Sequence, residues 1–236
     1  MTKRLTKIGV NPDFQELSSF VHELPTVFET GGKVIYKGRN ELKEFDVEGK
    51  KLIVKSYQLP HLLNRIIYNF FRASKAKRSY SYALMLRKLG IGSPAPVGYY
   101  STGSWLLFGR SYFVCLKSDC PYTYRDFEKT VFPNQEQILR AIARTTAMLH
   151  ENGLLHKDYS AGNILFRTID EKVEVEIIDL NRMRFGNVGI EAGCKNFERL
   201  PGTHEMFAIA EEYAKARGFD VQTCLELIEQ AHSLSD

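Results

Sequence analysis

No acidic residue occurs from Gly49 to Ser118, although twelve lysines and arginines lie in that stretch. The segment carries +12 and the rest of the chain −8, a separation hidden behind a net charge of +4. A face charged in this way attracts phosphate, nucleic acid or an anionic membrane surface. Long hydrophobic runs are also missing. The most apolar short stretch, Ile66–Phe71, is too brief to span a bilayer. The basic start, Met1–Lys7, is not followed by the apolar run of a secretory signal. The expectation is a cytoplasmic protein. The four cysteines, Cys115, Cys120, Cys194 and Cys224, form no CxxC pair, so they fit reduced structural thiols rather than a disulfide framework or a metal site. There is no internal repeat and no low-complexity segment.

The 236 residues, 44% hydrophobic and 25% charged, suffice for a real core. Asn11, Pro12 and the apolar positions Phe14, Leu17, Phe20, Val21 and Leu24 predict a short helix over 11–24. Val34–Tyr36, Leu42–Val47 and Lys51–Tyr57 read as an antiparallel meander, and a long helical stretch runs from Pro60 to Leu89. With Val97–Tyr100 and Trp105–Leu116, the first half is expected to be a five-stranded antiparallel sheet with one main helix. The second half is mostly helical. Gln135–Asn152 carries Ile138, Ile142, Thr145 and Leu149 on one stripe, and Gly153 suits its end. Strands are expected at 163–167 and 173–178 around the turn Asp170-Glu-Lys172, then helices at about 203–217 and 220–232. The class is α+β, with a division into 1–117 and 118–236.

The chemistry concentrates in His156-Lys-Asp-Tyr-Ser-Ala-Gly-Asn163 and, sixteen residues beyond Asn163, Asp179 at the end of an apolar strand. An H-x-D-x4-N loop, two strands and a second Asp supply what phosphoryl transfer needs. One carboxylate orients the attacking hydroxyl, and an Asn with another carboxylate holds Mg²⁺ against the nucleotide phosphates. Mg²⁺ favours hard oxygen ligands, few of them from carboxylates. These roles fall to Asp158, Asn163 and Asp179. Lys55 ends the apolar run Leu52-Ile-Val54 about a hundred residues earlier, where a lysine can reach the nucleotide phosphates.

These motifs, with Val34-Ile-Tyr-Lys-Gly-Arg-Asn40, Val54-Lys-Ser56, Ala73-Ser-Lys-Ala-Lys-Arg78, Gly90-Ile-Gly-Ser-Pro-Ala-Pro96 and Ile178-Asp-Leu-Asn-Arg182, resemble the lipopolysaccharide core kinases. That family phosphorylates heptose or 3-deoxy-manno-octulosonic acid (Kdo) and is distantly related to protein kinases. The resemblance covers roughly residues 30–200. It implies a protein-kinase-like fold, with a small antiparallel-sheet N-lobe and a mostly helical C-lobe. It also implies ATP and Mg²⁺ as cofactors, Lys55 on the phosphates, Asp158 as base, and Asn163 with Asp179 on the metal. The turn Gly38-Arg39-Asn40 would cover the phosphates. The implied partner is the lipopolysaccharide core or another sugar acceptor.

The chain departs from the wider kinase pattern in four places. It has no GxGxxG. Asp179-Leu-Asn181 replaces D-F-G, and no A-P-E follows. The acid that kinases set on the small-lobe helix to pair with the strand lysine is missing, and Ser81 stands near its place. Lys55 must therefore find Glu41, Glu44, Glu48 or Asp179, or go unpaired. A nucleotide-binding pseudokinase, or a kinase acting on protein or a small amino-alcohol, stays open on these grounds. Residues 61–78 combine Leu62, Leu63, Ile66, Ile67, Phe70 and Phe71 with Arg65, Arg72, Lys75, Lys77 and Arg78. They read either as an anchor on the anionic inner face of the cytoplasmic membrane or as a packed helix with a solvated basic side. No nucleic-acid partner is expected, because no binding motif accompanies the charge.

Overall fold

The computed structural model describes residues 5–58, 73–103, 108–201 and 206–233. Two compact units emerge: residues up to 85 with 94–117, and residues 86–93 with 118 onwards.

The first unit is built on a six-stranded antiparallel sheet in the order β1-β5-β6-β4-β3-β2. Its strands are β1 (Leu5–Val10), β2 (Lys33–Lys37), β3 (Glu41–Val47), β4 (Lys50–Tyr57), β5 (Pro96–Gly103) and β6 (Phe108–Leu116). The sixth strand, β1, was not anticipated. It pairs with β5 from Leu5↔Gly103 to Val10↔Gly98, and so takes the edge that the five-stranded reading left open. The helix expected over 11–24 is instead a 3₁₀ segment Pro12–Leu17, then α1 (Ser18–His22) and α2 (Leu24–Thr30). Phe14 breaks the regular path (φ −134°, ψ 39°), and Pro25 suits the first turn of the new helix.

These short helices bury Leu17, Val21, Leu24 and Phe28 against Leu52, Val54, Val97, Tyr112 and Val114 on one sheet face. Lys43 is nearly buried there, yet its ammonium donates to the carbonyls of Phe28 (2.5 Å) and Gly31 (3.1 Å). A cation at a helix C-terminus satisfies both the orphan carbonyls and the helix dipole. A second cluster joins Tyr57 and Tyr99 to Ala76 and Tyr80 of α3 (Lys75–Lys88). The long helical stretch of the sequence reading is thus seen from Lys75. Its apolar part, 61–72, lies outside the described residues.

The second unit is organised by α4 (Gln135–Glu151), which buries Ile138, Leu139, Ile142, Thr146, Leu149 and His150 among others. Thr146 rather than Thr145 lies on the buried face. The hairpin β9 (Ile164–Ile169) and β10 (Lys172–Ile177) turns at Asp170 and Glu171, both with positive φ (45° and 65°). That geometry matches the right-handed twist of the strands, and Asp tolerates it. β7 (Tyr122–Thr123) pairs with β9, and β8 (Leu154–His156) with β11 (Met183–Phe185). Three helices complete the unit: α5 (Ile190–Lys195), α6 (Met206–Arg217) and α7 (Val221–Ser233). Arg140 of α4 bridges Glu136, Glu211 and Glu212, which joins α4 to α6. All four cysteines are free thiols. No helix among the described residues is long and apolar enough to cross a membrane.

Candidate active site

The loop after β8 begins from a buried histidine. His156 is fully buried and donates through Nε2–H to the carbonyl of Ile178 (3.1 Å). Its Nδ1 accepts the backbone N–H of Asp158 (3.1 Å). Burial holds this imidazole below its ordinary pKa, so the neutral ring can accept and donate at once. The same histidine therefore ties the loop that carries Asp158 to the strand end that carries Asp179.

A chain of hydrogen bonds continues behind it. Asn196 donates to the carbonyl of His156 (2.9 Å) and accepts from Nε2 of His150 (3.0 Å). Nδ1 of His150 takes the hydroxyl proton of Tyr213 (2.8 Å), and Arg217 donates to that hydroxyl (2.9 Å). Gly193 makes this possible, since a Cβ there would lie 2.0 Å from Tyr213 Oη. His150 is 2% exposed, and burial pulls its pKa down to about 4. Tyr159, the residue after Asp158, is buried and bonds Thr146 of α4 (2.6 Å). Buried polar groups satisfied in this way fix one arrangement, because any alternative leaves donors unpaired.

Asn163 closes the loop. Its Nδ2 donates to the carbonyl of Asp158 (2.8 Å) and to Ser160 Oγ (3.2 Å), which leaves its Oδ1 as the acceptor atom it can present. Its own carbonyl accepts the N–H of Ile178 (3.0 Å). Asp179 follows with φ 59°, a left-handed conformation that costs a non-glycine residue about 1–3 kcal/mol and concentrates at functional sites. Asn181, 8% exposed, donates to Asp179 Oδ1 (2.5 Å) and so sets the direction of that carboxylate. The Gly90–Pro96 motif finds its reason nearby. The carbonyl of Gly92 accepts the N–H of Ile177 (2.9 Å), and a Cβ at Gly92 would lie 2.0 Å from the carbonyl oxygen of Val175.

Asp158, Asn163 and Asp179 are thus brought together on one bonded frame. Asp179 and Asn163 offer hard oxygen donors of the kind Mg²⁺ takes, with few carboxylates, and they fit that ion. No group of three or more His, Cys, Asp or Glu residues placed to hold a metal ion occurs among the described residues. The sequence reading had missed Asn181, Asn196 and His150. Only Asn181 carried a signal, as the residue in the third position of the D-x-N run.

Lys55 and the 38–40 turn belong to the other unit. Lys55 sits in β4 opposite Leu42 and Phe113, with its ammonium 5.4 Å from the centre of the Tyr57 ring. Tyr57 is itself held by Ser79 of α3 (2.7 Å between oxygens). An aromatic face is a real partner for the lysine, of order 0.5–2 kcal/mol. The sequence reading weighed four acids for this lysine and did not consider a ring. Glu44, one of the four, pairs with Lys117 (2.7 Å), which lowers its pKa. Gly38, Arg39 and Asn40 form the turn between β2 and β3, and Asn40 Oδ1 accepts the N–H of Gln58 (3.3 Å). The turn borders a cavity of about 540 Å³ lined also by Lys37, Lys43, Ser56 and Arg110. Ser56 rather than Lys55 faces it.

The profile of the lipopolysaccharide kinase (Kdo/WaaP) family matches residues 38–217. The chain belongs to this family. It is accordingly a kinase, and its place in lipopolysaccharide biosynthesis is that of a sugar kinase. No curated protein sequence matches the chain significantly. Among solved structures it is similar to WaaP in complex with acyl carrier protein, at 16% identity and a TM-score of 0.65, covering 98% of this chain and 100% of that one. It is also similar to the Rio2 kinase–ADP/Mg²⁺–phosphoaspartate complex from Chaetomium thermophilum, at 17% identity and a TM-score of 0.54, covering 94% of this chain and 78% of that one. At such identities these structures show the fold alone, and that fold is kinase-like, as expected.

Proposed function

We propose that the chain transfers the γ-phosphate of ATP to a hydroxyl of a lipopolysaccharide inner-core sugar, Kdo or heptose. The observation that carries this reading is the joint anchoring of Asp158, Asn163 and Asp179 through His156, Ile178 and the loop's own hydrogen bonds. Asp158 accepts the proton of the acceptor hydroxyl as its oxygen bonds to the γ-phosphorus. The bond from that phosphorus to the β,γ-bridging oxygen breaks, and ADP leaves with the electron pair. Asn163 and Asp179 would hold Mg²⁺, whose charge offsets that of the phosphate oxygens. Asn181 keeps the Asp179 carboxylate aimed. Lys55 and the 38–40 turn carry the groups suited to the nucleotide phosphates.

The acid-free stretch supports action at the inner face of the cytoplasmic membrane, where the lipid-linked acceptor would be met. Sedimentation with anionic vesicles tests that placement, and binding that fades as salt rises supports it. The function is tested by mass spectrometry of the lipid A–core from a deletion strain. The expected result is the loss of one phosphate, restored by the wild-type gene but not by an Asp158→Asn copy. An unchanged phosphate count overturns the reading.

A further inference from the structure

Two guanidinium groups already occupy the carboxylate that must take the acceptor's proton. Arg199, on the turn after α5, donates through Nη1 to Asp158 Oδ1. Arg182, the residue after Asn181, places Nη1 3.8 Å from Asp158 Oδ2. A third guanidinium is near: Nη2 of Arg125 lies 3.4 Å from where a side chain at Gly162 would begin. The side chains of Arg199 and Arg182 are 50% and 56% exposed, whereas that of Asp158 is 25% exposed. Holding the loop does not require these arginines, because His156, Asn196 and Asn163 already fix its backbone. Arg199 bonds the base at Oδ1 and Arg182 faces its Oδ2 at ion-pair distance, whereas the Asn163 amide is turned toward Asp158 O and Ser160. They therefore border the place where the acceptor hydroxyl arrives.

A hydroxyl that bonds Asp158 Oδ1 competes with Arg199 for that oxygen. For a neutral sugar the exchange is poor, because the guanidinium gives up a charge-assisted bond and gains a weaker one. For a sugar with a carboxylate beside its reacting hydroxyl, the guanidinium trades one carboxylate for another. Arginine's planar fork suits that exchange.

We infer that Arg199 and Arg182 recognise the acceptor through its anionic group and that the acceptor is a sugar acid. This rests on the function proposed above and narrows it, since Kdo bears a carboxylate and heptose does not. Arg199 is then the residue that reads the acceptor.

The test reads binding, so it does not depend on turnover. The full chain, loaded with Mg²⁺ and a non-hydrolysable ATP analogue, is titrated by calorimetry or NMR with free Kdo, carboxyl-reduced Kdo and a neutral heptose. Wild type is expected to prefer Kdo to the two neutral sugars by roughly tenfold or more, the scale of a charged hydrogen bond. Arg199→Gln and Arg182→Gln should bring Kdo down to the level of its reduced form, with nucleotide affinity and melting temperature unchanged. Arg199→Lys, which keeps the charge and loses the fork, should recover part of the preference. Equal affinity of wild type for all three sugars, binding of none of them, or a preference that survives Arg199→Gln overturns the inference. So does a loss of nucleotide affinity in Arg199→Gln with the sugar preference intact, which would assign the guanidinium to the phosphates of ATP. Failure of the wider reading looks different: Kdo would bind with the expected preference, yet no phosphate would pass to any core acceptor.

Discussion

Residues 156–163 and residues 33–40 are both short segments that the sequence marks for nucleotide chemistry, but they are held by opposite means. In the first, His156 and Tyr159 are buried, and the polar groups of His156, Asp158, Tyr159, Ser160 and Asn163 bond to Ile178, Asn196, Arg199, Thr146 of α4 or one another. In the second, every residue of β2 is exposed, with Val34, Ile35 and Tyr36 at 49%, 48% and 57%. A base and a metal ligand must be placed within fractions of an ångström, because a small displacement costs much of the rate. A turn that covers phosphates can take its final position from the ligand, and it need not be packed beforehand.

If that contrast is right, chemistry and stability should separate cleanly between the two segments. Asp158→Asn keeps the size of the side chain and removes its basicity, so turnover should fall by roughly two to four orders of magnitude with ATP affinity little changed, as read by single-turnover phosphotransfer. An unaffected rate would remove Asp158 from the mechanism.

The next effect is on stability. His150 has its folded pKa lowered from 6.5 to about 4 by burial, so the unfolded chain binds the proton first. Its contribution is fully present above pH 6.5 and is lost as pH falls toward 4, by about 3 kcal/mol in all. His156 acts in the same direction, since burial lowers its pKa too. Urea unfolding at pH 7.5 and pH 5 checks this, and His150→Asn should flatten the difference.

Asn181→Ala frees the Asp179 carboxylate to turn and should weaken Mg²⁺ dependence of the rate by roughly 10–100-fold, the range for losing a group that orients a ligand. A magnesium titration of the phosphotransfer rate measures it. The smallest effect belongs to the exposed hairpin. Tyr36→Ser should leave unfolding free energy within about 0.5 kcal/mol of wild type while raising KM for ATP. A large loss of stability there would show that the hairpin is packed by something its exposure does not reveal.

The sequence made the catalytic loop readable because its parts are local. H-x-D-x4-N lies within eight residues, and the apolar strand ending at Asp179 follows at a fixed distance. The helices at 135–151, 206–217 and 221–233 were legible for the same reason, from apolar spacing alone. β1 was not, since its six residues pair with β5 some ninety positions away and carry little periodic signal of their own. The aromatic contact of Lys55 was not foreseen because the search covered acids, whereas Tyr57 lies two residues further along the same strand and so on the same face.

Composition and periodicity thus determined the class of the fold, the position of most helices and the residues able to do phosphoryl chemistry, all of which follow from neighbours in the chain. Tertiary structure alone decided how those residues are held. His150, Asn196, Tyr213 and Arg217 reach the catalytic loop from α4, the turn after α5, and α6, and Arg199 reaches Asp158 across forty-one positions. No local pattern encodes such contacts, because a hydrogen bond depends on where two side chains meet in space and not on how far apart they stand along the chain.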